Sequence, residues 1–332
     1  MSEIITLDHG SGGEKTSGLV KELVLKYLGN CILDRLEDAA LIRAGDQIVF
    51  STDSFVIDPL FFPGGNIGKL CVCGTANDVC MRGGKPYALS LALILEEGFP
   101  VADLEKILAS IAETARKAGV LIVTGDTKVV EKGKGDGIYI NTAGIGLPVL
   151  KNLGKEYIRE GDAVLVSGTV GDHGAAVMLA RNEGLLAGEI RSDCGLLTGL
   201  AEELQKLGDA VRIMRDPTRG GLATVMAEFA EDTPFLFELE EDKIPVREDV
   251  RSACDILGLD PLYCACEGRL VAVVEGSRAE EAAELLRSRE EGRDAAVIGR
   301  VVQGAFGRVV LKTAYSSRVL TKLSGMQLPR IC

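Results

Sequence analysis

Residues 51–80 read STDSFVIDPLFFPGGNIGKLCVCGTANDVC, and their reading decides the fold. The segment QIVFSTDSFVI (47–57) is rich in β-branched and aromatic residues and reads as a strand. After a Pro/Gly turn, IGKLCVCGTANDVCMRGG (67–84) is rich in small residues and reads as a buried helix ending in a glycine turn. Each element carries a carboxylate out of keeping with its surroundings. Asp53 interrupts the strand, and Asp78 sits inside the apolar helix. An isolated carboxylate in such a place costs free energy unless it is paired or bound to a cation.

The pattern around this stretch mixes helices and strands. SGLVKELVLKYLG (17–29) and DLEKILASIAETARKAG (103–119) are amphipathic and read as helices. ALSLALIL (88–95), VLIVTGDTKVV (120–130) and IYINTAGIGLP (138–148) read as strands. LPVLKNLGKEYIREGD (147–162) has the proline, glycine and charge of a domain boundary. Beyond it, AVLVSGTVGDHG (163–174) restarts with a strand and a glycine turn. Helices are expected near 196–207, 218–231 and 277–288, and strands near 269–275, 295–302 and 308–312. There is no strict βαβ repeat and no GxGxxG after a strand. The reading is therefore two α+β domains, 1–150 and 151–314, and not a Rossmann fold. Residues 315–332 read as a mobile tail with a cysteine, Cys332, at its tip. Extended, the last sixteen residues reach about 50 Å, enough to enter a distant cleft.

Charge and composition exclude several functions. The 332 residues carry 37 Lys+Arg against 49 Asp+Glu, a formal charge of −12, which argues against a nucleic-acid partner. No apolar run reaches the roughly 18–20 residues of a membrane helix, and the start does not read as a signal peptide. A cytoplasmic protein is expected, with most of its nine cysteines free. Cys71, Cys73, Cys80, Cys264 and Cys266 read as small apolar filler. Two histidines, His9 and His173, leave little room for zinc or triad chemistry.

Four acidic motifs remain in the first half: EDAA (Glu37, Asp38), STDS (Asp53), ANDV (Asp78) and TGDT (Asp126). Together they suit Mg²⁺, a hard cation that takes oxygen ligands and bridges phosphates. Each alone also suits a turn or cap. HGSGGEK (His9, Gly10, Ser11, Gly12, Gly13, Glu14, Lys15) is a glycine-rich loop able to approach phosphates, though it is not a Walker A loop and reads equally as a flexible N-terminal turn. Lys128 lies two residues past Asp126 and shares its face of an extended segment. RDPTRGGLA (215–223) adds Asp216 and a second glycine turn into a helix. CEGRL (266–270) sets Glu267 at the entry to an apolar strand, where it reads equally as a general base or a turn residue.

These motifs, with the ending PRIC, resemble the HypE family of hydrogenase maturation factors, within the AIR-synthetase-like (PurM-like) ATP-dependent superfamily. The likeness runs over nearly the whole chain. The family usually reads DDAA where this chain has Glu37-Asp38, which leaves Asp38 as the matching ligand. The resemblance implies that Cys332 carries a carbamoyl group placed there by a HypF-like carbamoyltransferase. ATP then drives its dehydration to a thiocyanate, and the cyanide passes to iron on a HypC–HypD scaffold. It implies Mg·ATP on Asp38, Asp53, Asp78 and Asp126, with Lys128 on the phosphates, the 9–15 loop as a lid, Asp216 nearby and Glu267 as base. It also implies a homodimer through the first domain. Selenophosphate synthetase, AIR synthetase, thiamine-phosphate kinase and a non-catalytic nucleotide-gated scaffold stay as alternatives. None of the three enzymes needs a terminal cysteine.

Overall fold

The computed structural model describes residues 4–10, 14–35, 45–182, 190–304, 307–323, 328 and 330–332. The first helical stretch runs as α1 (Glu14–Leu19), a π-helical turn (Val20–Val24) and α2 (Leu25–Leu28). Then come β1 (Val49–Phe55), a small hairpin of β2 (Phe61–Phe62) and β3 (Gly65–Asn66), α3 (Ile67–Met81), β4 (Gly84–Glu96), α4 (Val101–Ala118), β5 (Leu121–Val130) and β6 (Ile138–Pro148). The four long strands form one sheet in the order β1-β6-β4-β5.

The small residues of α3 have a packing reason. A Cβ on Gly68 would stand 2.4 Å from the Ile107 carbonyl of α4, and one on Gly74 would stand 2.9 Å from the Phe55 ring of β1. Helix α3 is therefore pressed between sheet and helix and is apolar nearly all round. Its N-terminus is capped by Asn66, whose side chain accepts from the Gly68 and Lys69 amides. Helix α4 lays Leu104, Ile107, Leu108 and Ile111 on the core and stops at Gly119, which is left-handed at φ 69°.

One face of the sheet packs on α3, and the other is open. Phe50, Ile94 and Leu147 stand on the open face at 63%, 43% and 43% exposure. The register runs Asp53 to Thr142, Thr142 to Leu91 and Leu91 to Gly125 across the four strands.

The second domain holds β7 (Ala163–Val166), α5 (Asp172–Arg181), α6 (Thr198–Gln205), β8 (Val211–Arg215), α7 (Gly221–Ala230), β9 (Phe235–Glu240), α8 (Glu248–Leu257), β10 (Val271–Val274), α9 (Ala279–Arg287), β11 (Ala296–Gln303), β12 (Arg308–Lys312) and β13 (Ser317–Leu320). Its strands form a sheet in the order β13-β12-β9-β11-β7-β10-β8. Helices α5 and α8 and strands β8, β9 and β13 go beyond the sequence reading. The DHG turn opens α5, because Gly171 at φ 87° turns the chain straight into a helix. The start of the expected tail is also corrected. Residues 317–320 pair antiparallel with β12, and Leu320 is buried against the second core. An edge strand this short, with a single buried side chain, carries too little pattern to be read from sequence.

Candidate functional site

The site lies where the end of α3 and strand β1 meet the loop after β8. Asp53 faces α3 from β1, since its register partner Thr142 bonds Thr75 of that helix at 2.5 Å. Asp78 lies in the last turn of α3, and its carboxylate accepts from the Ser51 hydroxyl at 2.6 Å. The end of β8 adds Arg215, and the loop after it adds Asp216 and Arg219. A cleft of about 570 Å³ is lined by Ser51, Asp78, Arg82, Arg215, Asp216 and Arg219 among others.

The three carboxylates repel one another. Burial raises Asp53 above the usual range against the Ser54 amide, and Asp78 adds to the rise while Arg219 opposes it. Burial also raises Asp78, against the Ser51 hydrogen bond and Arg215. Asp216 is pushed up to about 7 by burial and then by Asp78. Negative charge is under-compensated here, as at a site built to receive a cation.

Glu267 and Cys332 lie within the field of the same carboxylates. The Glu267 and Gly268 amides each donate to the Asp193 carboxylate at 3.2 Å, which fixes the turn ahead of β10. The Glu267 side chain is buried, and its Oε1 has no partner in the protein. Burial raises its pKa well above the ordinary value, and Cys194, Asp216, Asp193 and Asp53 add to that. Cys332 is half-buried, its thiol pushed up to about 12 by burial and then by Glu267, against Arg219. These interactions set Cys332, Glu267, Arg219, Asp53 and Asp216 within electrostatic reach of one another.

The chain end is docked. The Val56 amide donates to a terminal carboxylate oxygen of Cys332 at 3.1 Å and the Asp58 amide to the Arg330 carbonyl at 3.3 Å. Arg330 donates to the Val56 carbonyl at 2.9 Å and pairs with Asp136. Ile331 is buried in the first domain's core.

The other expected residues sit elsewhere. Asp126 and Lys128 pair with each other at 2.7 Å and are exposed. Asp126 is opposite Ala92 in the register, on the open face of the sheet, whereas Asp53 faces α3. Three strand spacings of about 4.8 Å also separate the two edges, so Asp126 lies about 14 Å away on the wrong side. The expected four-carboxylate cluster is thus not assembled within one chain. Among the described residues, no three His, Cys, Asp or Glu side chains surround a position for one ion. His9 is buried, and its Nδ1 accepts from the Thr6 amide at 3.0 Å in the turn Leu7–Gly10. That turn, which ends at Gly10, packs on β5, and α1, which carries Lys15, packs on the turn. Ser11, Gly12, Gly13, Glu37 and Asp38 lie outside the described residues.

Sequence reasoning missed Ser51, Arg219, His173, Ser192 and Asp193. Ser51, Arg219 and His173 lie inside the quoted motifs STDS, RDPTRGGLA and GDHG, and Ser192 and Asp193 in a run of polar and small residues, SDCG (192–195). The contacts of Ser192 and Asp193 with His173, Glu267 and Gly268 are non-local.

Two families cover the two domains. "AIR synthase related protein, N-terminal domain" matches residues 36–147, and "AIR synthase related protein, C-terminal domain" matches residues 159–312. The carbamoyl dehydratase HypE of Azotobacter vinelandii is 48% identical, over 99% of this chain and 97% of that one. The crystal structure of hydrogenase maturation protein HypE in complex with ATP superposes with a TM-score of 0.94 at 44% identity, covering 98% and 99% of the two chains. The HypE–HypF complex matches with a TM-score of 0.80 at 48% identity, covering 92% and 99%. A match of this extent, on a fold that docks its last cysteine, makes the chain a member of the HypE family of carbamoyl dehydratases.

Proposed function

We infer that the chain is an ATP-dependent carbamoyl dehydratase of hydrogenase maturation, acting on an S-carbamoyl group carried by its own Cys332. The observation that carries this reading is the docked tip, which brings the Cys332 thiol within electrostatic reach of buried Glu267 and of Asp53 and Asp216.

The chemistry follows from these groups. An amide oxygen is a poor leaving group until it is phosphorylated. The carboxamide oxygen takes the γ-phosphoryl group of ATP and releases ADP. The C–O bond then breaks, phosphate leaves, and loss of two N–H protons completes the C≡N bond. Glu267 is the group placed to take a nitrogen proton. Arg215 and Arg219 line the cleft where phosphate charge collects. Mg²⁺ arriving with the phosphates would supply charge neutralisation; Asp53, Asp78 and Asp216 are each candidate ligands, though no three of them converge on one position, and Asp38 is a further candidate. Discharging the carboxylates also favours the ionised Glu267 that a base requires.

Lys128 does not reach this cleft within one chain. A homodimer that stacks the open sheet faces of two first domains (1–150) would cover Phe50, Ile94 and Leu147. It would also carry Lys128 and Asp126 toward the partner's phosphates. Loading falls to a HypF-like carbamoyltransferase, and we place a HypC–HypD scaffold as the acceptor of cyanide. Among the described residues no helix is long and apolar enough to cross a membrane. Free cysteines accord with work in the cytoplasm.

The deciding measurement is the mass of the C-terminal peptide after incubation with carbamoyl donor, HypF-like partner and ATP. The expected result is a carbamoyl adduct on Cys332 that loses one water only when ATP is present. An adduct on another residue, or water loss without ATP, overturns the reading.

A further inference from the structure

His173 is a fully buried histidine that the dehydration chemistry does not use. It stands in the first turn of α5, and both ring nitrogens are engaged. Nε2 lies 2.7 Å from the Ile331 carbonyl, and Nδ1 lies 2.7 Å from the Ser192 hydroxyl. A carbonyl only accepts, so Nε2 carries the hydrogen. Nδ1 then accepts from Ser192. The Ser192 oxygen in turn accepts the Cys194 amide at 2.9 Å. The hydrogen bonds therefore run one way, from Cys194 through Ser192 and His173 to the tail. Every group in the run is satisfied without a buried charge. Burial holds the imidazole neutral, with its pKa lowered to about 4.

The first domain completes the grip. Phe62 of the β2–β3 hairpin meets the His173 ring edge-on at 5.4 Å and 87°. The Ser192 amide donates to the Pro63 carbonyl at 2.8 Å. Arg181, one helix end away on α5, donates to the Asp58 and Arg330 carbonyls. Ser192 and Asp193 are neighbours in sequence. One fixes the tail through His173, and the other fixes the amides of Glu267 and Gly268. A single dipeptide thus contacts both the holder of the tail and the turn that carries the proposed base.

We propose that His173, oriented by Ser192, is a positioning residue that latches the Ile331 carbonyl and so holds Cys332 at Glu267. Loading requires this latch to open, and dehydration requires it to close. The proposal rests on the carrier reading of Cys332. Neither ring nitrogen is left to face a substrate, so His173 acts through the tail and not on the reacting atoms. A histidine that merely filled the core would leave no imprint on the reactivity of a thiol at the chain end.

The test is the rate at which iodoacetamide alkylates Cys332, read by peptide mass. Exposed Cys31 is the internal control, and the seven buried cysteines report on folding. In His173→Leu the Cys332 rate should rise about tenfold or more, the effect of one lost buried hydrogen bond, with Cys31 unchanged. Single-turnover dehydration of preloaded protein should slow in the same variant. His173→Gln, whose amide can donate to Ile331, should recover most of both effects. A wild-type Cys332 rate in His173→Leu overturns the latch. If that variant unfolds and its buried thiols react, Ser192→Ala decides by the same criterion. The carrier reading fails separately, if Cys332→Ala still makes cyanide.

Discussion

Two acidic regions share one four-stranded sheet and are treated in opposite ways. At the β5 edge, Asp126 is exposed on the open face and neutralised by Lys128 two residues on, which lowers its pKa. At the β1 edge, Asp53 is turned inward with Asp78 and Asp216, and all three are raised. The first region satisfies itself within three residues of chain. The second is assembled from both domains and stays under-neutralised. Charge that a fold buries without compensation costs stability, so its presence points to a ligand that supplies the missing charge.

The strongest way to break this contrast is Asp78→Asn. The amide can still accept from Ser51, so the fold should persist. A neutral amide is a weaker ligand for a hard cation. ATP turnover should fall by about a hundredfold or more, on the scale of losing one preorganised charge. Turnover within a factor of two of wild type would strip the inner carboxylates of their role.

The β5 pair offers a sharper, smaller effect. Lys128→Ala leaves thermal stability nearly unchanged, because an exposed ion pair contributes little. If Lys128 serves the partner's phosphates, turnover should drop about tenfold or more. Mixing the Lys128→Ala and Asp78→Asn variants should restore part of the activity, since some mixed dimers keep one intact site. No recovery on mixing, with subunit exchange verified by mass, would return Lys128 to its own chain or remove it from the chemistry.

The same contrast explains what sequence could reveal. The elements of the first domain are legible because their signals are local: strand 47–57, the small-residue helix 67–84, and Gly119 ending α4. Asp53 and Asp78 are legible because a carboxylate in an apolar element is conspicuous. Their separation from Asp126 is not legible. It depends on which strands lie between β1 and β5 and on the side each residue faces, and the β-bulge between Leu89 and Ser90 shifts that register. The docked chain end is hidden for a related reason. His173 meets Ile331 and Val56 meets Cys332, each across more than 150 residues, and no periodicity encodes such a meeting. The terminal cysteine could be noticed in the sequence, but the site that receives it could not.

The smallest effect is a change of stability with pH. Asp216 has a folded pKa of about 7 against an ordinary 3.8, raised by burial first and Asp78 next. A raised carboxylate pKa means that the unfolded chain gives up its proton first. Stability from this group is therefore full below about pH 4 and is lost as pH rises toward 7. Asp53 and Asp78 act in the same direction. His173 acts the opposite way: its lowered pKa of about 4 costs stability as pH falls through the range below 6.5. The wild-type profile alone thus mixes two signs, and a difference between variants separates them. Asp216→Asn should gain melting temperature relative to wild type as pH rises from 5 to 8 without nucleotide, by several degrees at the upper end. Asp126→Asn should show no such trend, because the Asp126 pKa is lowered by Lys128 and its contribution is lost only at more acidic pH. Differential scanning calorimetry across that range checks both. Parallel profiles for Asp216→Asn and wild type would mean that the inner carboxylates are already neutralised without a ligand, and the contrast between the two edges would dissolve.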